Sequence, residues 1–331
     1  MLEDKSAECR AYDYAKFPRE FVSYRWFKPV LVALLVAVIY FVLSIALVII
    51  VGIITGNFGF LNNISDGYDG MNAFTGPGAV MEFGSIALIL PALALAGLIV
   101  QDRPFSSYST SRGGWNWKTF FLCMLVAAAV MGADFIVESL LFPGEYVQGV
   151  SQFTTVGLIL CIVLVPLQCL AEEYLFRGFL LQTFGAWTRL PILAIVVSAA
   201  IFAAGHPYNV VGVITIFFNG IFWGFIAWKS KGLEATSALH IVNNMIAFLA
   251  SGFGMAPMTS VVPVESLVVS VIIDVVYMVA VLTLGKKFGW FKPKGDGTEM
   301  FNTKKLAKKA RKYQPPRPAS GGAVPYAPSN V

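Results

Sequence analysis

The sequence predicts an all-α fold: a polytopic membrane helix bundle of about eight transmembrane helices, with both termini cytoplasmic. Three observations lead there. Apolar residues fill 57% of the 331 positions and charged residues 13%, about half the charged share of ordinary soluble domains. So few charges could not cover that much apolar surface in water, whereas a bilayer is itself an apolar solvent. The apolar residues gather in eight runs that meet or approach the ~20 residues needed to cross a hydrocarbon core. The Lys and Arg residues fall in every second connection between those runs.

In chain order the runs cover about 29–54, 79–100, 115–142, 154 to beyond 172, 190–205, 210–228, 233–252 and 264–284. The first is too long for the apolar stretch of a secretory signal and follows a long charged leader, so no cleavable signal peptide is expected. The third is the most polar at its far end. The fourth continues to Thr188, too long for one upright span, so it either tilts or bends after Arg177 and lies along the interface. Orientation follows from the bases. Lys5, Arg10, Lys16, Arg19, Arg25 and Lys28 assign the leader to the cytoplasm. The segment 55–78, with Asp66 and Asp69 and no base, goes outside. Arg103, Arg112 and Lys118 bring the next connection inside; 142–153, with Glu145 alone, goes outside. Arg189, then Lys229 and Lys231, then the tail from Lys286 mark inside segments, while the turn at Pro207 and the segment 251–263 carry no base.

The net charge of +5 does not indicate nucleic acid, because the bases sit at the termini and in short connections, as cytoplasmic membrane loops do. The cluster Lys304, Lys305, Lys308, Lys309, Arg311 and Lys312 favours anionic lipid, by about 1 kcal/mol per base near the surface. Residues 314–331, rich in Pro, Ser and Gly, are expected to be disordered. Cys9, Cys123, Cys161 and Cys169 have no metal or disulfide spacing and read as small apolar residues.

Charge inside a bilayer is costly, so an intramembrane ionisable group is a functional candidate by default. Such groups concentrate here. The fourth run carries Glu172, Glu173 and Arg177, the fifth ends at Phe202 and His206, and the seventh holds His240 and Asn244. These are the only two histidines in the chain. Residues four apart share a helix face. Glu173 can therefore pair with Arg177, His240 and Asn244 can face one cavity, and Phe202 underlies His206. Glu172 points about 100° away from Glu173, so the two carboxylates need not share a role. If the fourth and fifth runs form a hairpin at Arg189, Glu172 and His206 lie equally far from the turn and can meet. Asp134, Glu138 and Asp274 also lie in apolar runs, as substrate-path or packing groups.

A carboxylate beside an imidazole can hold and deprotonate water, which fits Glu172 with His206. Imidazole and amide N–H groups can donate to a developing oxyanion, which fits His240 with Asn244. Two histidines and a glutamate could instead hold zinc, the set then being Glu172, His206 and His240, although no helix carries the His-Glu-x-x-His zinc motif.

Glu-Glu-x-x-x-Arg, Phe-x-x-x-His and His-x-x-x-Asn on successive helices resemble the CPBP family, which includes the type II CAAX prenyl endopeptidases and bacterial bacteriocin-processing and immunity proteins. The resemblance covers about residues 171–244 and extends to Gly178 after the arginine. It implies a glutamate-dependent intramembrane endopeptidase. Glu172 would be the general base, with His206 helping to hold the water. His240 and Asn244 would form the oxyanion site, and Glu173 and Arg177 would be structural or orient the substrate. Metal-free chemistry is favoured, with zinc left open because the family has also been described as metal-dependent. The chain then divides into a cytoplasmic leader (1–28), amino-terminal membrane helices (29–150), a catalytic membrane core (151–290) and a basic, disordered cytoplasmic tail (291–331). The substrate expected is a peptide or membrane-protein segment, in a prokaryotic plasma membrane. Two other functions fit the same residues: an ion- or proton-coupled transporter, and a catalytically silent membrane scaffold.

Overall fold

The computed structural model describes residues 12–21, 23–56, 58, 72–141, 149–256 and 259–293. Residues 1–11, the basic cluster at 304–312 and the tail 314–331 lie outside the described residues, as do Cys9, Asp66, Asp69, Glu145 and the side chain of Glu138.

Eight helices follow the eight apolar runs, and no strand occurs among the described residues. They are α1 (Lys28–Thr55), α2 (Gly76–Val100), α3 (Trp117–Leu141) and α4 (Thr155–Thr188), followed by α5 (Pro191–Ala204), α6 (Val210–Ser230), α7 (Glu234–Gly252) and α8 (Val264–Phe288). Local chemistry sets the ends. Thr154 and Asn209 cap α4 and α6 by accepting from the backbone N–H groups of Gly157 and Gly212, as short oxygen-bearing side chains do at helix starts. Pro29 and Pro191 sit in first turns, where a missing N–H costs nothing. α1, α4, α6 and α8 stop at left-handed residues: Gly56, Arg189, Lys231 and Gly289.

Six of the eight are long and apolar enough to cross a membrane, which makes this a multi-pass membrane protein. The two outside that set are α5 and α7. α5 has 14 residues, about 21 Å against a ~30 Å hydrocarbon core. α7 has the length but carries a polar face, with Glu234, Thr236, Ser237 and His240 all buried. α4 neither stops nor breaks after Arg177. It runs for 34 residues, about 51 Å, and passes through a π-helical segment at Tyr174–Leu180. A second π-helical segment, Val80–Gly84, lies in α2.

α3, α4, α6, α7 and α8 pack around one core built from Phe120, Cys161, Cys169, Trp223, Leu239 and Tyr277 among others. α1 lies outside it, docking Val32 and Val36 on Ala92, Leu93 and Ala96 of α2. Its remaining faces, with Leu34, Val38 and Phe41, are exposed, as expected of a helix that meets lipid. Cys123, Cys161 and Cys169 are buried and free.

The connections gather at two ends of the bundle. At one end, Tyr14 donates to the Tyr108 carbonyl at 2.7 Å, and the Ser111 and Leu233 N–H groups bond to Lys231 and Ser109. There too Arg112 bonds to Glu234 and to the Trp290 carbonyl. At the other end, Thr154 bonds to Phe74, Gly149 to Gly254, and Asn209 to Ser260. The amino- and carboxy-terminal described segments therefore share one end of the bundle.

Candidate active site

The site forms where α4, α7 and the α5–α6 turn converge. Glu172 and Glu173 end the first α-helical stretch of α4, just before its π-helical segment. Such segments recur at functional sites because the extra residue in the turn re-aims side chains. Gly178 lies inside the same segment. A Cβ there would stand 3.0 Å from the Tyr108 carbonyl oxygen, so glycine lets the 106–109 backbone pack directly on α4.

His240 is the hub. Its Nε2 lies 3.2 Å from Glu172 Oε2 and its Nδ1 lies 3.1 Å from Glu173 Oε1. Glu173 Oε1 also accepts from Arg177 Nη1 at 2.9 Å. The sequence reading separated the two carboxylates by helical angle, yet both reach one ring, because α7 stands between their directions. A neutral imidazole donates at one nitrogen only, and an ionised carboxylate only accepts. Satisfying both contacts therefore requires one more proton: an imidazolium, or a carboxyl that keeps its own. Glu172, Glu173, Arg177 and His240 are all buried.

His206 lies two residues beyond the end of α5, in the turn to α6, rather than inside a helix. Its Nδ1 is 2.8 Å from the Phe202 carbonyl oxygen. A carbonyl can only accept, so Nδ1 carries a proton, and in the neutral ring Nε2 is the acceptor. Its ring packs edge-on against Phe202 at 4.7 Å and parallel to Tyr208 at 6.0 Å. Glu172 and His240 lie within its electrostatic reach, although no direct hydrogen bond links His206 to Glu172 among the described residues. Asn244 is half-buried one turn beyond His240, and its Oδ1 accepts from Asn243 Nδ2 at 2.9 Å. That contact occupies the Asn244 amide oxygen and does not use its N–H₂ donor.

Sequence reasoning missed a supporting layer from α6 and α8. The Trp223 indole stacks obliquely on His240 at 4.7 Å, and the Arg177 guanidinium lies over Phe202 at 4.3 Å and Trp223 at 5.2 Å. Trp223 Nε1 donates to Asp274 Oδ1 at 2.8 Å. Asn219, with its amide turned to face acceptors, donates to Asp274 Oδ2 at 3.0 Å. Asp274 is thus a packing group behind the site. Trp223 carried a legible signal: it is the one tryptophan of the seven that sits in the middle of an apolar run.

Zinc requires three donors aimed at one point. Among the described residues, no three His, Cys, Asp or Glu side chains form such a group. Both His240 nitrogens face carboxylates. The set Glu172, His206 and His240 as arranged does not fit a metal, and no step is derived through one.

Residues 152–246 match the family model described as type II CAAX prenyl endopeptidase Rce1-like. That range holds all seven motif residues, so the resemblance read from the motifs is borne out, and it supports protease activity in general. The chain is 30% identical over 170 residues to the uncharacterized protein YyaK of Bacillus subtilis (strain 168), over 47% of this chain and 55% of that protein. It therefore spans about half the length of the curated relative it matches. No solved structure matches.

Proposed function

We propose that this chain is a glutamate-dependent, CAAX-type intramembrane endopeptidase that hydrolyses a peptide bond near the membrane. The observation that carries this reading is the buried Glu172–His240–Glu173–Arg177 array, with His206 in electrostatic reach of Glu172 and His240. Water held between Glu172 and His206 Nε2 loses a proton to Glu172 as it attacks the scissile carbonyl. A protonated Glu172 is a weaker acceptor for His240. The Nε2–H of His240 then turns to the developing oxyanion, beside the Asn244 amide. Glu173 and Arg177 hold the His240 ring through Nδ1 and fix its angle. The proton on Glu172 passes to the leaving amine.

The substrate is a peptide or membrane-protein segment that reaches the helix ends from the bilayer. Both termini face the cytoplasm, in keeping with the base-rich connections, and the tail at 304–312 adds anionic lipid as a partner. The protein sits in a prokaryotic plasma membrane, a reading that the Bacillus relative favours.

The test is cleavage of a fluorogenic membrane-peptide library by purified protein in liposomes. Wild type, Glu172→Ala and His206→Ala are run side by side, with and without chelator. Wild type should cleave regardless of chelator, and Glu172→Ala should lose about 10²–10⁴-fold, the usual share of a general base. Chelator sensitivity restored by zinc would move the site to metal chemistry. Undiminished cleavage by Glu172→Ala would remove the glutamate from the mechanism. Ion-dependent uptake in sealed vesicles without cleavage would mark a transporter instead.

A further inference from the structure

A second polar feature lies away from the site, where α6 and α8 end together. A groove of about 510 Å³ opens there, lined by Phe225 and Lys229 of α6, Leu282 and Lys286 of α8, and Phe291 and Lys292 just beyond α8. Lys229, Lys286 and Lys292 are exposed, and none forms a salt bridge among the described residues. Lys229 Nζ lies 3.9 Å over the Trp228 ring, and Phe288 stacks on Trp290 at 6.2 Å. Lysines beside tryptophans at helix ends mark the headgroup level of a bilayer.

Below this basic rim the two helices turn apolar. Ile214 and Phe218 of α6 are exposed and lead, at helical spacing, to Phe225 and Lys229. Ile272, Val276 and Val279 of α8 are exposed and lead in the same way to Leu282 and Lys286. A ligand that fills the groove and follows both stripes needs an anionic head and an apolar body. Inorganic phosphate would use the rim and leave the stripes unused.

We propose that the α6–α8 groove is a binding site for an anionic glycerophospholipid. Its phosphodiester sits among Lys229, Lys286 and Lys292, and its acyl chains lie along the exposed faces of the two helices. The site is separate from Glu172, His206 and His240 and stands whether or not the chain hydrolyses peptides. It is also separate from the basic cluster at 304–312. Trp223 and Asp274, which support the candidate site, belong to the same two helices, so an occupied groove would tie their ends together.

The experiment is native mass spectrometry of the full chain released from phosphatidylcholine nanodiscs that contain a minor fraction of phosphatidylglycerol. Wild type should retain one phosphatidylglycerol in preference to phosphatidylcholine. Each of Lys229→Gln, Lys286→Gln and Lys292→Gln should lower that preference about fivefold, equivalent to ~1 kcal/mol per base at an anionic surface. The triple Gln variant should lose it, and the triple Arg variant should keep it. Replacing Lys304, Lys305, Lys308 and Lys309 with Gln should leave it unchanged. Retention by the triple Gln variant would overturn the proposal, as would loss only in the tail variant. Displacement of the bound lipid by inorganic phosphate at equal concentration would show a plain anion site and overturn the lipid assignment.

Discussion

Glu173→Gln separates an ion pair that merely packs helices from one that orients a reacting group. Glu173 Oε1 receives both Arg177 Nη1 at 2.9 Å and His240 Nδ1 at 3.1 Å, with side-chain exposures of 0% for Glu173 and 2% for Arg177. Removing one partner of a buried pair costs about 3–5 kcal/mol, because the other charge is left uncompensated. Two features reduce that here. Glutamine keeps a carbonyl acceptor, worth about 1 kcal/mol, and the ring faces of Phe202 and Trp223 already hold the guanidinium. The expected loss is about 2–3 kcal/mol. Adding Arg177→Met removes the orphaned charge and should bring stability back to within about 1 kcal/mol of wild type. Equilibrium unfolding in mixed micelles measures this as a double-mutant cycle. Cleavage is the second readout: the double variant should recover stability and still be inactive, because the amide left at position 173 accepts from His240 Nδ1 without the negative charge and the Arg177 contact that fix the ring. Additive stability losses would refute the coupling, and wild-type cleavage by the double variant would reduce Glu173 to a packing residue.

Two further perturbations test how the helices that carry the site are held. Arg112→Met strips Glu234 at the start of α7 of its 2.5 Å partner, with the pair 2% and 0% exposed. It should destabilise by about 3–5 kcal/mol, read by the same unfolding titration, and an effect under 1 kcal/mol would mean that the pair is screened by water. Gly220→Ala puts a Cβ 2.8 Å from that of Ala199, where α5 and α6 touch. It should cost about 1–3 kcal/mol as overpacking, and Ala199→Gly in the same chain should restore only part of the melting temperature, because the Ala199 Cα also lies 2.9 Å away; no recovery at all would place the strain elsewhere.

The helices were legible because span length and loop charge are written residue by residue. The eight runs and the eight helices agree within a few residues at most ends, as at 29–54 against Lys28–Thr55 and 264–284 against Val264–Phe288. The motif residues were legible because ionisable groups in apolar runs are rare, and the structure gathers Glu172, Glu173, Arg177 and His240 within hydrogen-bonding distance. Their pairing was not legible. Helical spacing says which residues share a face of one helix, but not which third helix stands between two faces, and that hid the contact of both glutamates with His240. The pairing of Trp223 with Asp274 escaped for the same reason. Each stands out in its own apolar run, but acquires its partner only when α6 and α8 pack together.

The two helices that fall short as spans are the ones that carry or lead into His206, His240 and Asn244, and this suits the proposed hydrolysis. Water and ionised groups must reach a depth where lipid would exclude both. α7 meets the second need by turning Glu234, Thr236, Ser237 and His240 into the protein, so its polar groups never face hydrocarbon and it does not pay the lipid-exposed penalty of a charged span. α5 meets the first by ending early. A helix of about 21 Å that starts at one surface stops roughly 10 Å short of the other, and the chain must turn there. Non-helical backbone at that depth is tolerated only where protein or trapped water serves its polar groups. Here the His206 N–H bonds to Ala203, Tyr208 to His206, and Asn209 to Ser260. The turn is thereby closed by protein, and the His206 ring is left at its edge with one nitrogen committed to Phe202 and the other available for water.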